Sequence, residues 1–291
     1  MKRSLIASLA VVLLCSTAFA GTLQIKGSDT ELNAVQALAE AYMNKNDSAS
    51  IAVTGGGSGA GFAALINGKA DMAIASRAIL GPEVAQCRAK GIDVNYIVFG
   101  IDGLSVIVNK ANKLKSLTMD QVAGIYKGDI KNWKDVGGAD MPISLYGRQS
   151  SSGTFVYFRK NVMHGEYSTK MNRMAGNAQI VEGVKADRGG IGYVGVGYTQ
   201  QDGKIIDGIA VLSIAPKYGE DTVSPLVEAD VLSGKYPIAR PLYHYFNGKP
   251  SGDLRAFIDF ELSDAGQAIL KDQGFYKITP EYVKINKANL D

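Results

Sequence analysis

The sequence IAVTGGGSGAGFAALI, residues 51–66, changes from a strand pattern to a helix pattern across one glycine-rich turn. Ile51–Thr54 is a short apolar run with the length of a strand, whereas Phe62, Leu65 and Ile66 recur at helical spacing. Residues 55–61 join the two patterns. Short strands that lead directly into amphipathic helices are typical of an α/β fold.

The same alternation of strand and helix patterns recurs along the chain. A helix is predicted over residues 31–43, because its apolar side chains lie on one face. Thr118 and Gln121 have the spacing of a capping box that begins another helix, and Gly274 is placed to end a helix near the C-terminus. Further strands are predicted at residues 23–26, 72–75, 105–109, 143–146 and 191–194.

Two polar breaks divide this pattern and predict two lobes. The first break, NKANKLKSL, follows the strand at residues 105–109, and the second is SGKYPIARP. A chain that crosses outward and then returns builds lobe 1 from both of its ends, residues 21–109 and 238–291. Residues 110–237 then form an inserted lobe 2. Such an arrangement leaves a cleft between the lobes, where we expect the binding site.

The first twenty residues have the pattern of a cleaved signal peptide. A short positive start precedes an apolar run over residues 5–14, and AFA at residues 18–20 is a small-residue cleavage site. The run is too short for a membrane span, and Leu14 before Cys15 disfavours a lipoprotein. We therefore predict cleavage after Ala20 and a periplasmic or secreted protein.

The composition disfavours several other classes of protein. With 46% hydrophobic and 20% charged residues, the chain is globular and not disordered. The leader supplies two of the three net positive charges, and scattered basic residues indicate no nucleic-acid partner. Cys87 is the single cysteine of the mature chain, so no internal disulfide forms. Neither His164 nor His244 has metal-ligand spacing, so we expect no metal and no cofactor.

Three strand-to-helix junctions carry small hydroxyl-bearing residues and together predict an anion site. They are GSDT at residues 27–30, GGGSGAG at residues 55–61 and RQSSSGT at residues 148–154. Unpaired backbone N–H groups and the positive end of the helix dipole favour anions at such junctions. Ordinary helix capping explains any single junction. Arg148 adds a planar bidentate donor for a tetrahedral oxyanion.

A fourth segment, DMAIASR at residues 71–77, is predicted to be a strand with polar ends. The functional interpretation makes Ser76 and Arg77 donors to the anion and Asp71 an acceptor. The structural alternative is a pair of exposed charges at the ends of a strand. An acceptor suits an oxyanion that still carries a proton, such as phosphate near neutral pH, and it disfavours fully ionised sulfate.

These four motifs, in this order, resemble those of the PstS family, the phosphate-binding proteins of high-affinity phosphate ABC transporters. The later segments GGIGYVGVGYT, YPIARPLYHYFNG and LSDAGQAILKDQGFY are also similar, so the resemblance covers the mature chain. It implies a periplasmic-binding-protein-like fold of type II, with two lobes that are each a mixed β-sheet flanked by helices. The lobes would close by hinge bending on phosphate in the interlobe cleft. The implied partners are inorganic phosphate and the permease subunits of a membrane transporter, and we expect a monomer.

The resemblance also assigns binding residues at the positions that match the family's motifs. Arg148 and the Ser-Gly-Thr at residues 152–154 match the most specific motif, and Asp71 falls on the proton-accepting carboxylate. Arg77 departs from the acidic residue that is common in the family. The predicted phosphate contacts are Ser28, Thr30, Ser58, Asp71, Ser76, Arg77, Arg148, Ser152, Gly153 and Thr154.

Three alternative functions stay open at this level. The same fold can bind another oxyanion, such as sulfate, molybdate or tungstate. An exported phosphoesterase is a second alternative, although the sequence has neither a Ser–His pairing nor a metal cluster. An extracellular scaffold or adhesion protein is the third. GIGYVG, residues 190–195, matches a dinucleotide motif but is predicted to be a strand that does not open a helix. We therefore predict a binding protein and not an enzyme.

Overall fold

The structure, a computed structural model, describes residues 21–291. The predicted signal peptide and its cleavage site after Ala20 lie outside the described residues. Within residues 21–291, none of the helices combines the length and the apolar character needed to span a membrane. The strands are β1 Leu23–Gly27, β2 Ile51–Thr54, β3 Met72–Ala75, β4 Val94–Gly103, β5 Ser105–Asn109, β6 Ser116–Thr118, β7 Ser144–Arg148, β8 Asn172–Met174, β9 Gly190–Val194, β10 Gln200–Gln201, β11 Lys204–Ile205, β12 Ile209–Val211, β13 Ser213–Ala215 and β14 Ala239–Asn247.

Helices follow most of the strands and cover the faces of the sheets. The α-helices are α1 Leu32–Met43, α2 Ser58–Ile66, α3 Gly81–Ala89, α4 Met119–Lys127, α5 Gly153–Phe158, α6 Asn177–Ala186, α7 Glu228–Leu232, α8 Gly252–Leu262, α9 Asp264–Asp272 and α10 Pro280–Leu290. A π-helical turn, Arg159–Met163, continues α5, and short 3-10 turns lie at Trp133–Val136 and Val196–Tyr198.

Two mixed five-stranded sheets organise the fold. The first has the strand order β2-β1-β3-β14-β4, and the second has the order β12-β5-β9-β7-β8. In the first sheet β1 is parallel to β2 and β3, whereas β14 is antiparallel to β3 and β4. In the second sheet β7 is parallel to β8 and β9, whereas β5 is antiparallel to β9 and β12. The predicted α/β architecture of two mixed sheets flanked by helices is confirmed.

The chain passes between the two sheets at Leu104 and at Ile238. Because β5 belongs to the second sheet, the first passage precedes Ser105 and does not follow Asn109, which corrects the predicted boundary. The polar composition changes only after β5, so composition alone assigned this strand to the wrong sheet. The Leu104 N–H donates to Ile238 O at 3.2 Å, so the two passages lie side by side. We call residues 21–103 and 239–291 lobe 1, and residues 105–237 lobe 2.

The junction at residues 51–66 folds as its pattern predicts. β2 leads through Gly57, which has φ +93°, into α2, and α2 packs on β1 and β3. Phe62, Leu65 and Ile66 of α2 are buried, which contributes about 1.5–3 kcal/mol for each side chain. The helix therefore holds its own N-terminus at the edge where these strands end.

Hydrogen bonds also confirm the predicted start of α4. Thr118 Oγ1 accepts the N–H of Gln121 at 3.1 Å, and Gln121 Oε1 accepts the N–H of Thr118 at 2.9 Å. Gly274, with φ +81°, follows the end of α9 as predicted. Local capping signals thus gave correct helix ends in both lobes.

Candidate anion-binding site

Hydroxyl groups from both lobes meet at one buried point between the sheets. Thr154 Oγ1, at the start of α5 in lobe 2, lies 2.9 Å from Thr30 Oγ1 and 3.3 Å from Ser76 Oγ in lobe 1. Ser58 Oγ accepts the N–H of Ser76 at 3.2 Å. We call Thr30, Ser58, Ser76 and Thr154 the hydroxyl cluster. All four residues are at most 1% exposed, so four predicted site residues are in contact and shielded from water.

Sheet topology explains why these distant residues meet. β2 and β3 each pair in parallel with β1, so the carboxyl ends of the three strands lie at one edge of the first sheet. The segments that carry Thr30, Ser58 and Ser76 follow these three ends. In the second sheet β7 ends at Arg148, a few residues before Thr154. Ligand sites of α/β proteins form outside the carboxyl ends of strands.

Glycines allow the two lobes to approach closely at this point. A Cβ at Gly153 would lie 2.2 Å from Ser58 Oγ and 2.9 Å from Ser76 Oγ. A Cβ at Gly57 would lie 2.5 Å from Ser151 O. The N–H of Gly59 donates to the same Ser151 oxygen at 3.0 Å. Backbone from lobe 2 therefore packs directly on backbone and hydroxyl groups of lobe 1.

The hydroxyl groups of Ser28 and Ser152 accept hydrogen bonds from nearby backbone N–H groups. Ser152 Oγ accepts the N–H of Phe155 at 3.4 Å as the N-cap of α5, and Ser28 Oγ accepts the N–H of Thr30 at 3.2 Å. Both residues are 1% exposed. Ordinary helix capping therefore describes Ser152, whereas Ser28 stabilises a local turn before α1. The N–H groups of Gly153 and Thr154 lie in the first turn of α5, where a helix offers them no backbone acceptor.

Arg148 is a fully buried cation with unused donors. Its Nη2 donates to the carboxylate of Asp29 in lobe 1 and, at 2.7 Å, to Ala175 O. Its Nε and Nη1 are buried and have no hydrogen-bond partner among residues 21–291. Burial lowers the pKa of Arg148 and Asp29 opposes this shift, and a guanidinium remains charged at neutral pH. An unsatisfied buried donor costs about 1–3 kcal/mol or more, so these N–H groups favour an anion beside them.

Arg240 lies beside the hydroxyl cluster and is absent from the residues that the sequence predicts for the site. Its Nη2 donates to Thr154 Oγ1 at 3.1 Å, and its Nη1 donates to Ser76 O at 2.9 Å. Its Nε and Nη2 both bond Asp102 Oδ2, at 2.9 and 2.7 Å. The only signal in the sequence is an arginine between Ala239 and Pro241 at the start of β14. Its partner Asp102 is 138 residues away along the chain, so the pair has no local signature.

Asp71 is not part of this site, which corrects its predicted role. It precedes β3, whereas Ser76 follows β3, so the strand holds them about 16 Å apart. The side chain of Asp71 is exposed and its Oδ2 accepts the N–H of Gln24 at 2.7 Å. Asp29, which precedes Thr30 in the chain, instead pairs with Arg148 of lobe 2.

Arg77 is buried next to Ser76, but its guanidinium is engaged within lobe 1. Nη1 and Nη2 donate to the two carboxylate oxygens of Glu83 at 2.7 and 2.6 Å. The guanidinium carbon lies 4.9 Å from the centre of the Phe62 ring. Its buried Nε has no hydrogen-bond partner among the described residues. A contact between Arg77 and a bound anion stays a prediction.

A buried charged triad lies directly beside the Thr30 segment. His244 Nδ1 is 3.1 Å from Glu261 Oε2, and its Nε2 is 3.5 Å from Glu31 Oε2. All three residues are 0% exposed. Burial alone would lower the pKa of His244, but the carboxylates of Glu261 and Glu31 together raise it to about 9. Burial raises the pKa of Glu31, and His244 opposes that rise.

Protonated His244 is expected to stabilise the fold at neutral pH and to lose this effect in alkali. Because its pKa rises from 6.5 to about 9 on folding, the stabilisation is complete below pH 6.5 and disappears as the pH passes through 9. The free energy of unfolding in urea should fall over this range by up to about 3 kcal/mol. NMR titration of the imidazole measures the pKa directly.

The chain has two histidines, so His164→Gln, a change at an exposed position, assigns the remaining signal to His244. A His244 signal that titrates below pH 7 would contradict the proposed charge state of the triad.

The remaining chemistry-bearing motifs lie on other elements of the fold. GIGYVG falls on β9 and is followed by a 3-10 turn. Cys87 is a buried free cysteine. Within residues 21–291, no group of three or more His, Cys, Asp or Glu side chains is arranged to hold a metal ion.

The chain is similar in sequence and in structure to several known proteins. A family model described as a PBP superfamily domain matches residues 16–265. The phosphate-binding protein PstS of Pseudomonas aeruginosa is 33% identical over 273 residues, which cover 88% of this chain and 82% of that protein. Protein SphX of Synechococcus elongatus is 33% identical over 260 residues, or 86% of this chain and 75% of that protein.

A solved structure from Clostridium perfringens, described as a putative phosphate ABC transporter substrate-binding protein with bound phosphate, has a TM-score of 0.78. It is 27% identical, and the match covers 89% of this chain and all of that one.

Proposed function

Since the chain belongs to the PBP superfamily and, within it, to the family of the phosphate-binding proteins PstS, we propose that it binds inorganic phosphate between its lobes and delivers it to the permease of an ABC transporter. The observation that carries the proposal is the buried Arg148, whose Nε and Nη1 lack partners among residues 21–291. The names of the relatives and the phosphate bound to the related structure support the same ligand.

The site offers a tetrahedral anion several kinds of donor. Arg148 supplies N–H groups from a charged side chain, the hydroxyl cluster supplies O–H groups, and the first turn of α5 supplies backbone N–H groups. A hydrogen bond to a charged group contributes about 1.5–3 kcal/mol, and micromolar affinity requires about 8 kcal/mol in total. A few such bonds therefore suffice after the cost of association. Hydroxyl oxygens also accept hydrogen bonds, so a protonated phosphate finds acceptors without Asp71.

Binding at this point favours closure of the lobes. Thr154 and Arg148 belong to lobe 2, whereas Thr30, Ser58 and Ser76 belong to lobe 1. An anion that contacts both sets interacts with more groups in the closed state than in the open state. A ligand shifts a conformational equilibrium by this difference in affinity.

The predicted leader completes the proposal. An exported protein, periplasmic or secreted after cleavage at Ala20, would meet phosphate outside the cytoplasmic membrane and carry it to the permease. We propose that it acts as a monomer and performs no chemical reaction on phosphate. An exported phosphoesterase would instead release product from a phosphate ester.

Isothermal titration of residues 21–291 with phosphate and with sulfate tests the proposal. We expect micromolar or tighter phosphate binding and weaker sulfate binding, because sulfate has no proton to donate to the hydroxyl oxygens. Absence of phosphate binding would overturn the proposal. Equal or tighter binding of sulfate, molybdate or tungstate would reassign the site to another oxyanion. Turnover of a chromogenic phosphate ester would assign it to a phosphoesterase.

A further inference from the structure

A buried ion pair lies at both passages between the lobes. Asp102 precedes Leu104 by two residues, and Arg240 follows Ile238 by two residues. Asp102 and Arg240 are directly opposite each other in the β4–β14 ladder. Their side chains are 0% and 1% exposed. The pair therefore lies at the two connections about which one lobe would rotate against the other.

The pair also contacts both walls of the proposed site. Arg240 Nη1 donates to Ser76 O in lobe 1, and Nη2 donates to Thr154 Oγ1 in lobe 2. Asp102 Oδ1 accepts the N–H of Val196, also in lobe 2, at 2.9 Å. The guanidinium of Arg240 thus connects Asp102 beside the passages, Ser76 of lobe 1 and Thr154 of lobe 2.

The hydrogen bond from Arg240 to Thr154 determines the direction in which the Thr154 hydroxyl can donate. A hydroxyl has one hydrogen and two acceptor lone pairs. Because Arg240 Nη2 donates to Thr154 Oγ1, one lone pair is occupied and the hydrogen is directed away from the guanidinium. The remaining neighbours are Thr30 Oγ1 and Ser76 Oγ, the groups that border the anion position. A charged donor also polarises the hydroxyl and makes it a stronger donor in turn.

We propose that Arg240 is a positioning residue for phosphate, which acts through Thr154 and makes this contact only when the lobes are closed. The inference rests on the proposed function. Asp102, Ser76 and Arg240 all belong to lobe 1 and stay together when the lobes separate. Thr154 belongs to lobe 2 and leaves the guanidinium. The contact therefore adds to closed-state affinity and slows phosphate release.

A double-mutant cycle between Arg240 and Thr154 tests this role. Arg240→Lys keeps the positive charge beside Asp102, but a single ammonium cannot span Asp102, Ser76 and Thr154. We expect about 10-fold weaker phosphate binding and a faster release rate, a change of about 1.4 kcal/mol. If Arg240 acts through Thr154, then Arg240→Lys/Thr154→Val binds no more weakly than Thr154→Val alone. A structural role would instead give effects that add.

The outcomes separate the inference from the proposed function. An unmodified protein that does not bind phosphate contradicts both. An unmodified protein that binds, with unchanged affinity in Arg240→Lys or with additive effects in the cycle, overturns the inference alone. Asp102→Asn/Arg240→Gln can take the place of Arg240→Lys in the same cycle with Thr154→Val. It replaces the ion pair by a neutral pair and therefore leaves no uncompensated charge. Arg255→Lys, a change in the more exposed pair with Asp259, is the matched control and should leave affinity unchanged.

Discussion

Phosphate binding by Arg148→Ala is expected to be weaker than that of the unmodified protein by at least about 2 kcal/mol, or roughly 30-fold. Alanine removes the two buried nitrogens that have no partner among residues 21–291. It also leaves the carboxylate of Asp29 without the guanidinium that now pairs with it. An unpaired carboxylate beside an anion is repulsive, so the loss exceeds that of the removed bonds. Isothermal titration gives the two dissociation constants.

Arg88→Ala is the matched control for this experiment. Arg88 is an exposed arginine on α3, so its removal changes the net charge equally without changing the site. Thermal unfolding of both variants shows whether either change affects the fold. An Arg148→Ala variant that is folded and binds phosphate normally would place the anion elsewhere.

Gly153→Ala is expected to weaken binding by about 2.7 kcal/mol, or roughly 100-fold, while the protein stays folded. The new methyl carbon would lie 2.2 Å from Ser58 Oγ and 2.9 Å from Ser58 Cβ, closer than real contacts allow. Gly153 belongs to lobe 2 and Ser58 to lobe 1, so the clash opposes closure and not the folding of either lobe. Alanine also has a higher helix propensity than glycine, which favours α5.

Titration and small-angle scattering together check this expectation. Scattering with saturating phosphate should show compaction of the unmodified protein and no compaction of Gly153→Ala at the same concentration. Gly81→Ala is the matched control, because a Cβ at Gly81, the first residue of α3, meets no atom within 4 Å. Normal affinity in Gly153→Ala would show that the lobes do not close at this contact.

The local parts of the fold were predictable because their signals lie within a few residues. The strands at residues 51–54, 72–75 and 105–109 match β2, β3 and β5. The hydroxyl cluster could be predicted for the same reason: each of its members stands at a junction where a strand gives way to a helix or loop. Capping preferences and hydrophobic periodicity both act over such short distances.

The errors arose where distant parts of the chain determine the outcome. The segment DMAIASR is continuous in the sequence, but strand β3 separates its two ends, so Asp71 and Ser76 lie at different edges of the sheet. The sequence of β5 alone does not show that it belongs to lobe 2, because its place in the sheet depends on pairing with β9 and β12. Asp102 and Arg240 meet only after β4 and β14 have paired.

The side-by-side passages at Leu104 and Ile238 restrict how the lobes can move. Sliding or pulling the lobes apart would stretch both connections and break the hydrogen bond between them, whose donor and acceptor are 3.2 Å apart. A rotation about the line of the passages needs only a few backbone dihedral changes, as in hinge motions generally. The relative motion of the lobes is then mainly a rotation about this one line. Such a rotation would bring the same groups of the two lobes back together at each closure, without a search through alternative arrangements.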